Sequence, residues 1–441
     1  MKLLVIGGSD AGIMAALRAR ELDPSTEVTM MMADAYPNLS ICGLPYALSG
    51  EVPDWQALRH RTIEEIAATG LTMVPDTTAK SIDVAQHTVT AIDANGEEQV
   101  FAYDKLVVGT GARPKAGKIA NVDRDDVFEL HSMATFFRLQ TAIAQRHAQH
   151  VAIVGAGYIG IEMAETFVRL GIEVALYQRG PEVLSTVDPD MGYTVHELLT
   201  SHGVAVHTNV AITDTEDLFN AGHDLVLVVT GVQPNSEILA TAGAAVDDKG
   251  RVIVDDMMQT NLPDIYAAGD LIQTKHILLG QTYLPLGTTA HKQGRIAGEN
   301  ALGASRHFKG IVGSQVIRLF DKVIARTGIL ETEASAAGFA PFANTIIVDD
   351  HKAYIPGATK LKIKIIGDRQ THRLLGAQVI GEYGSEVAKR SDLYATAIQQ
   401  GLTVEEFSDY DLSYSPPIAA PWDAVQQATQ AWETALRNST L

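Results

Sequence analysis

The chain has 441 residues, room for roughly two to four domains, and 46% of them are hydrophobic, as in an ordinary globular enzyme. Its net charge of -19 leaves no basic surplus to displace phosphate counterions, which argues against nucleic acid as a partner. With a single cysteine no internal disulfide can form, so the composition suits a reducing cytoplasm.

The pattern at the N-terminus is strand, tight turn, helix. Leu3-Leu4-Val5-Ile6 is an apolar run, Gly7-Gly8 turns the chain, and Ala11 to Glu21 repeats apolar positions at helical spacing. The run is too short for a signal-peptide core, and no uncharged apolar stretch approaches the roughly 20 residues of a membrane span. A soluble, cytoplasmic protein with no membrane contact is expected. Cys42 follows about one βαβ unit later, in Ser40-Ile41-Cys42-Gly43-Leu44-Pro45-Tyr46. If this lone thiol does redox chemistry, its partner is a small molecule, a peroxide oxygen or another protein. At the start of a helix its thiolate is expected to be favoured by the dipole and by backbone N–H groups.

An apolar strand over Tyr103–Gly111 runs into Thr110-Gly111-Ala112-Arg113-Pro114. The opening pattern then recurs, with strand Val151–Val154, loop Gly155-Ala156-Gly157 and a helix over Tyr158–Leu170. Asp224–Gly231 repeats the strand ending in Thr-Gly, and Ile265–Ala268 runs into Gly269-Asp270. Strands that end this way put backbone at the carboxyl edge of a sheet, where ligands bind in such folds. Beyond about residue 310 the strands 316–320, 345–348, 360–366 and 374–380 and a helix over 385–400 predict an α+β domain without a nucleotide loop.

Gly155-x-Gly157-x-x-Gly160 fits the dinucleotide fingerprint, with a strand before it and a helix starting at Tyr158 and Ile159. The glycines serve the turn, the approach of pyrophosphate and helix–strand packing, and the helix N-terminus faces the phosphates. The next strand ends in Gln178-Arg179 where an acid would bind ribose hydroxyls. Arginine there suits a 2′-phosphate, which favours NADPH over NADH; the alternative is a solvated arginine beside an unselective pocket. The first loop, Gly7-Gly8-Ser9-Asp10-Ala11-Gly12, has Ser9 at the middle glycine position, and Met32 at its expected acid, with Asp34 two residues on.

These motifs, in this order, resemble the FAD-dependent pyridine nucleotide-disulfide oxidoreductases, in the single-cysteine branch that includes coenzyme A-disulfide reductases, persulfide reductases, NADH oxidases and NADH peroxidases. The resemblance implies an α/β chain with two Rossmann-like domains and a C-terminal α+β dimerisation domain. FAD would bind 1–115 together with 253–310, NAD(P)H would bind 116–252, and 311–441 would pair two subunits. It assigns Gly7, Gly8, Ala11, Gly12, Asp34, Thr110, Gly111, Arg113, Gly269, Asp270, Pro285 and Leu286 to FAD. To NADPH or NADH it assigns Gly155, Gly157, Tyr158, Ile159, Gly160, Gln178, Arg179 and Gly231, with Glu162 near the nicotinamide and flavin.

The resemblance also makes Cys42 the redox residue, joined across a homodimer by Tyr414, in Asp411-Leu412-Ser413-Tyr414-Ser415-Pro416-Pro417, and by Tyr354. Ile355 stands where the family more often has a second tyrosine. Cys42-Gly43-Leu44-Pro45-Tyr46 resembles the reductases of coenzyme A disulfide, persulfide or polysulfide. Peroxidases and many oxidases carry histidine at the position of Asp10. The alternatives are an NADH oxidase or peroxidase that cycles Cys42 through sulfenic acid, and a flavin-containing redox sensor or scaffold. Arg18, Arg20 and Arg61 are candidates for coenzyme A phosphates. The histidines show no metal-ligand spacing, and no metal is expected.

Overall fold

In the computed structural model, which describes residues 1–439, two parallel five-stranded sheets are laid out alike. In the first, strand Lys2–Ile6 lies between Glu27–Met31 and Lys105–Val108. In the second, His150–Val154 lies between Glu173–Tyr177 and Leu225–Val228. Each central strand feeds a helix, Asp10–Leu22 or Tyr158–Arg169. The central strands are nearly continuous apolar runs because helices or loops cover both faces of such sheets. Strand Ile265–Ala267 returns to the edge of the first sheet after the second is complete. The mixed α/β class expected from the sequence is the one observed.

The C-terminal sheet is antiparallel, with five strands in the order Gln315–Leu319, Lys322–Gly328, Leu374–Glu382, Lys360–Asp368, Pro341–Asp349. Helices Val387–Gln400 and Ala424–Ser439 cover it, with Trp432 fully buried. Thr440 and Leu441, the end of the expected segment 311–441, lie outside the described residues. Among the described residues no helix is long and apolar enough to cross a membrane.

Two features lock these units around one cavity. Strands Ala112–Pro114 and Val232–Pro234 pair antiparallel and join the two nucleotide-type units. The Thr110 hydroxyl donates to the Asn235 carbonyl at 2.6 Å, beside that pair. One apolar core also spans three parts of the chain: Leu44, Leu48 and Leu58 near Cys42, Ile153 and Phe167 of the second sheet and its helix, and Ile317 and Ile380 of the C-terminal sheet. Helices Asp10–Leu22 and Gly287–Ala301 meet backbone to backbone: a Cβ at Gly294 would lie 2.1 Å from the Ala11 carbonyl oxygen, and one at Gly298 would lie 2.4 Å from that of Ala15.

Candidate active site

The carboxyl ends of both parallel sheets open onto one cavity of about 2820 Å³, well above the roughly 300–1,000 Å³ of a cleft for a single drug-sized ligand. The two loops that enter it are built alike. Gly7 and Gly155 have φ of 112° and 109°, and a Cβ on Gly12 or Gly160 would stand 1.9 Å from the carbonyl oxygen of Gly7 or Gly155 respectively. The third glycine of each loop is thus fixed by close packing of helix on turn. At Gly157 a Cβ would meet nothing within 4 Å, so the backbone there stands open to the cavity.

Helices Asp10–Leu22, Tyr158–Arg169 and Gly287–Ala301 begin without a side-chain cap at Ser9, Gly157 and Leu286. Ser9, Gly157 and Leu286 all line the cavity. First-turn N–H groups have no intrahelical acceptor, so these ends offer donors and positive potential to phosphate-bearing ligands. The chain's own residues therefore fit two dinucleotides.

Cys42 lies in the single turn Ile41–Gly43, ahead of the short helix Leu44–Leu48. The Ser40 N–H donates to the Leu58 carbonyl at 2.9 Å, which holds the turn against the neighbouring segment. Gly43 is fixed by that packing, since a Cβ there would lie 2.4 Å from Leu58 Cδ2. The thiol is exposed to the cavity yet ringed by its walls. This partial removal from bulk water, then the charges of Glu162, Asp10 and Asp270, push the thiol pKa up. That corrects the expectation of a thiolate favoured by the helix start: the turn is too short to supply a strong dipole, and three carboxylates oppose the anion.

Glu162 sits on the second nucleotide-type helix and lines the cavity. Burial raises its pKa to about 7, against a lowering by the Tyr46 hydroxyl, which donates to Oε1 at 3.4 Å. Asp270 is raised to about 6 by burial and by Asp10. Asp10 Oδ1 lies 3.7 Å from His291 Nδ1, and that ring also contacts the Gly287 carbonyl at 2.9 Å. Burial raises Asp34 as well, while the carboxylate accepts the Tyr36 N–H at 3.0 Å.

Of the residues singled out from sequence, Gly7, Gly8, Asp34, Cys42, Thr110, Gly111, Gly155, Gly157, Tyr158, Ile159, Glu162, Gln178, Arg179, Gly231, Asp270, Pro285 and Leu286 line this cavity. Ala11, Gly12, Gly160 and Gly269 do not line it; they stand behind its wall, in helix–turn packing. Arg113 is turned away and donates to Asn235 Oδ1 at 2.7 Å, beside an ion pair with Glu237. Tyr354 and Tyr414 are exposed neighbours outside the cavity. Arg18 pairs with Glu21 and Glu299, and Arg20 donates to the carbonyls of Pro24 and Thr26, so internal partners occupy both. Arg61 is exposed and lies off the cavity wall.

Sequence reasoning gave no role to Tyr46, His291 or Arg318. Arg318 carried one signal: a charge inside the apolar strand Val316–Phe320, which calls for a buried partner. Among the described residues no group of three or more His, Cys, Asp or Glu is placed to hold a metal.

Residues 1–294 match the family of pyridine nucleotide-disulphide oxidoreductases, and residues 316–425 match that family's dimerisation domain. The chain is 31% identical over 432 residues to the CoA-dependent NAD(P)H sulfur oxidoreductase of Pyrococcus abyssi, covering 96% of each protein. It is 29% identical over 441 residues to the coenzyme A disulfide reductase of Staphylococcus haemolyticus, covering 96% of this chain and 97% of the other. Among solved structures, the NAD-dependent persulfide reductase from A. fulgidus superposes with a TM-score of 0.95 at 32% identity, over 100% of this chain and 84% of that one. With its single cysteine on the wall between two nucleotide-type loops, the chain belongs to the pyridine nucleotide-disulphide oxidoreductase family.

Proposed function

We propose that the protein uses NAD(P)H to reduce coenzyme A disulfide, or a related low-molecular-weight disulfide, persulfide or polysulfide, through FAD and Cys42. The observation that carries this reading is the lone thiol on the wall shared by both uncapped nucleotide loops. FAD is assigned to 1–115 and 253–310, NAD(P)H to 116–252 and subunit pairing to 311–441. Bound FAD supplies the two-electron relay between nicotinamide and sulfur.

Cys42 Sγ attacks one sulfur of the disulfide. The S–S bond breaks, the first thiol departs with a proton, and a Cys42 mixed disulfide remains. An electron pair derived from NAD(P)H then frees the second thiol and restores the Cys42 thiolate. The sum is one disulfide, one NAD(P)H and one proton giving two thiols and NAD(P)⁺. After burial, Glu162 is the largest influence that raises the Cys42 thiol. When Glu162 takes a proton the negative charge opposing the thiolate falls.

The test is anaerobic mixing of NADH or NADPH with coenzyme A disulfide. Two thiols per reduced nucleotide are expected, and Cys42→Ser should bleach the flavin without releasing thiol. A mass spectrum of the purified protein should show Cys42 free or carrying a coenzyme A adduct. Oxygen consumption at full rate with no thiol release would replace this reading with an oxidase. Failure to turn over any acceptor would replace it with a sensor.

A further inference from the structure

Arg318 reaches the site from the C-terminal sheet, on strand Gln315–Leu319. Nη1 and Nη2 donate to the two oxygens of Glu51 at 2.6 and 2.5 Å, a bidentate clamp that fixes the plane of the guanidinium. Its central carbon lies 5.1 Å from the Tyr46 ring centroid and 5.8 Å from that of Tyr383. Glu165 is 4.0 Å away on the second nucleotide-type helix, and Arg169 on that helix holds Glu165 at 2.7 Å. Tyr46 then hands the arrangement on, its hydroxyl donating to Glu162 at 3.4 Å. A surface pair of Arg318 with Glu51 alone would contribute little. Here the fork is occupied by Glu51 while the face is occupied by Tyr46, three residues into the helix that follows Cys42.

We propose that Arg318 is a positioning residue for the Tyr46–Glu162 pair: locked by Glu51, its guanidinium holds the Tyr46 ring with the hydroxyl toward Glu162, tying the C-terminal sheet to a carboxyl on the cavity wall. This rests on the proposed function and on the family resemblance, which puts Glu162 near the nicotinamide and flavin. The titratable and charged groups facing Glu162 are Cys42 and Tyr46 from the cysteine turn and its helix, Tyr158 and Glu165 from its own helix, and Arg318 from the sheet. Burial and Glu165 raise Glu162, whereas the Tyr46 hydroxyl and the Arg318 charge lower it. Loss of either lowering group moves its titration to higher pH.

The test follows flavin bleaching by NAD(P)H in the FAD-bound enzyme, in rapid anaerobic mixing across pH. Wild type should show an inflection near neutral pH, and Glu162→Gln should abolish it. Arg318→Met and Tyr46→Phe should each move the inflection to higher pH, and Arg318→Lys, which keeps the charge but neither the two-point clamp nor the flat face, should move it part of the way. Should Arg318→Met fail to fold, Tyr46→Phe and Arg318→Lys carry the test. A wild-type inflection retained unmoved in Tyr46→Phe and in the Arg318 variants, at full FAD content, overturns the positioning role. An inflection that survives Glu162→Gln overturns instead the placement of Glu162 beside the nicotinamide.

Discussion

The Thr166 hydroxyl, buried on the second nucleotide-type helix, donates to the Pro45 carbonyl at 3.1 Å, three residues after Cys42 in the chain. This bond pins the cysteine helix to the helix that carries Glu162. Thr166→Val keeps the shape and removes the donor, leaving the Pro45 carbonyl with the Ser49 N–H as its remaining partner, at 3.0 Å. A loss of about 1 kcal/mol is expected in denaturant unfolding. Thiol release should slow as the cysteine helix loosens, while flavin content stays unchanged.

Glu162 contributes to stability in a pH-dependent way. Its folded pKa of about 7 exceeds the ordinary 4.5, so the folded state binds the proton more tightly than the unfolded chain. The stability from that proton is complete below about pH 4.5 and is lost as pH rises through about 7. Glu162→Gln should therefore gain on wild type across this window, by on the order of 3 kcal/mol at ~1.4 kcal/mol per pKa unit. Thermal unfolding of both proteins from pH 4.5 to 8 checks the sign; a difference that shrinks with rising pH refutes it.

Coenzyme choice turns on Gln178 and Arg179. Gln178 is committed to its own loop, its amide donating to the Glu182 carbonyl at 3.3 Å. Arg179 is exposed at the cavity wall, and no described residue forms an ion pair with it. NADPH should be used at least as well as NADH. Arg179→Ala should raise KM for NADPH about tenfold and leave NADH nearly untouched, as expected for loss of a charged contact to phosphate. A strong NADH preference that ignores this substitution would place the selection elsewhere.

Tyr414 and Tyr354 are 45% and 71% exposed, outside the cavity that holds Cys42 in the same chain. Burial and the adjoining Tyr354 phenol raise Tyr414 above the ordinary tyrosine range. In a C2 homodimer each pair would serve the partner's Cys42, where a phenol can hydrogen-bond the departing thiolate. Tyr414→Phe should slow disulfide turnover and spare flavin reduction. Mixed dimers of Cys42→Ser with Tyr414→Phe chains should regain activity above either parent, because one of their two sites is intact. Verified mixed dimers without recovery, or a fully active monomer, would remove the shared site.

Much of this site could be read locally. The glycine spacing from Gly155 to Gly160 records contacts within six residues of chain, and the apolar runs at Leu3 and Val151 mark buried parallel strands. What escaped depends on partners far apart in sequence. Arg318 and Glu51 are 267 positions apart, and neither position names the other. Ala112–Pro114 and Val232–Pro234 each end in proline and read as strand exits, so their pairing emerges only once both sheets are folded. The helix Ala424–Ser439 went unassigned because its polar residues hide the face that buries Trp432. The Cys42 thiol was misread because the opposing charges come from Glu162, Asp10 and Asp270, spread along the chain.

The contact between helices Asp10–Leu22 and Gly287–Ala301 bears on how genetic data for this enzyme should be read. Gly294 and Gly298 face the Ala11 and Ala15 backbones, and neither lines the cavity. Even alanine at either position would wedge apart two helices whose first turns flank the first loop. A screen for colourless, flavin-free clones will therefore recover these two glycines together with residues that touch the ligand. Such hits would report the spacing of the scaffold, and mapping them as contacts would draw the binding site into the interface between the two helices.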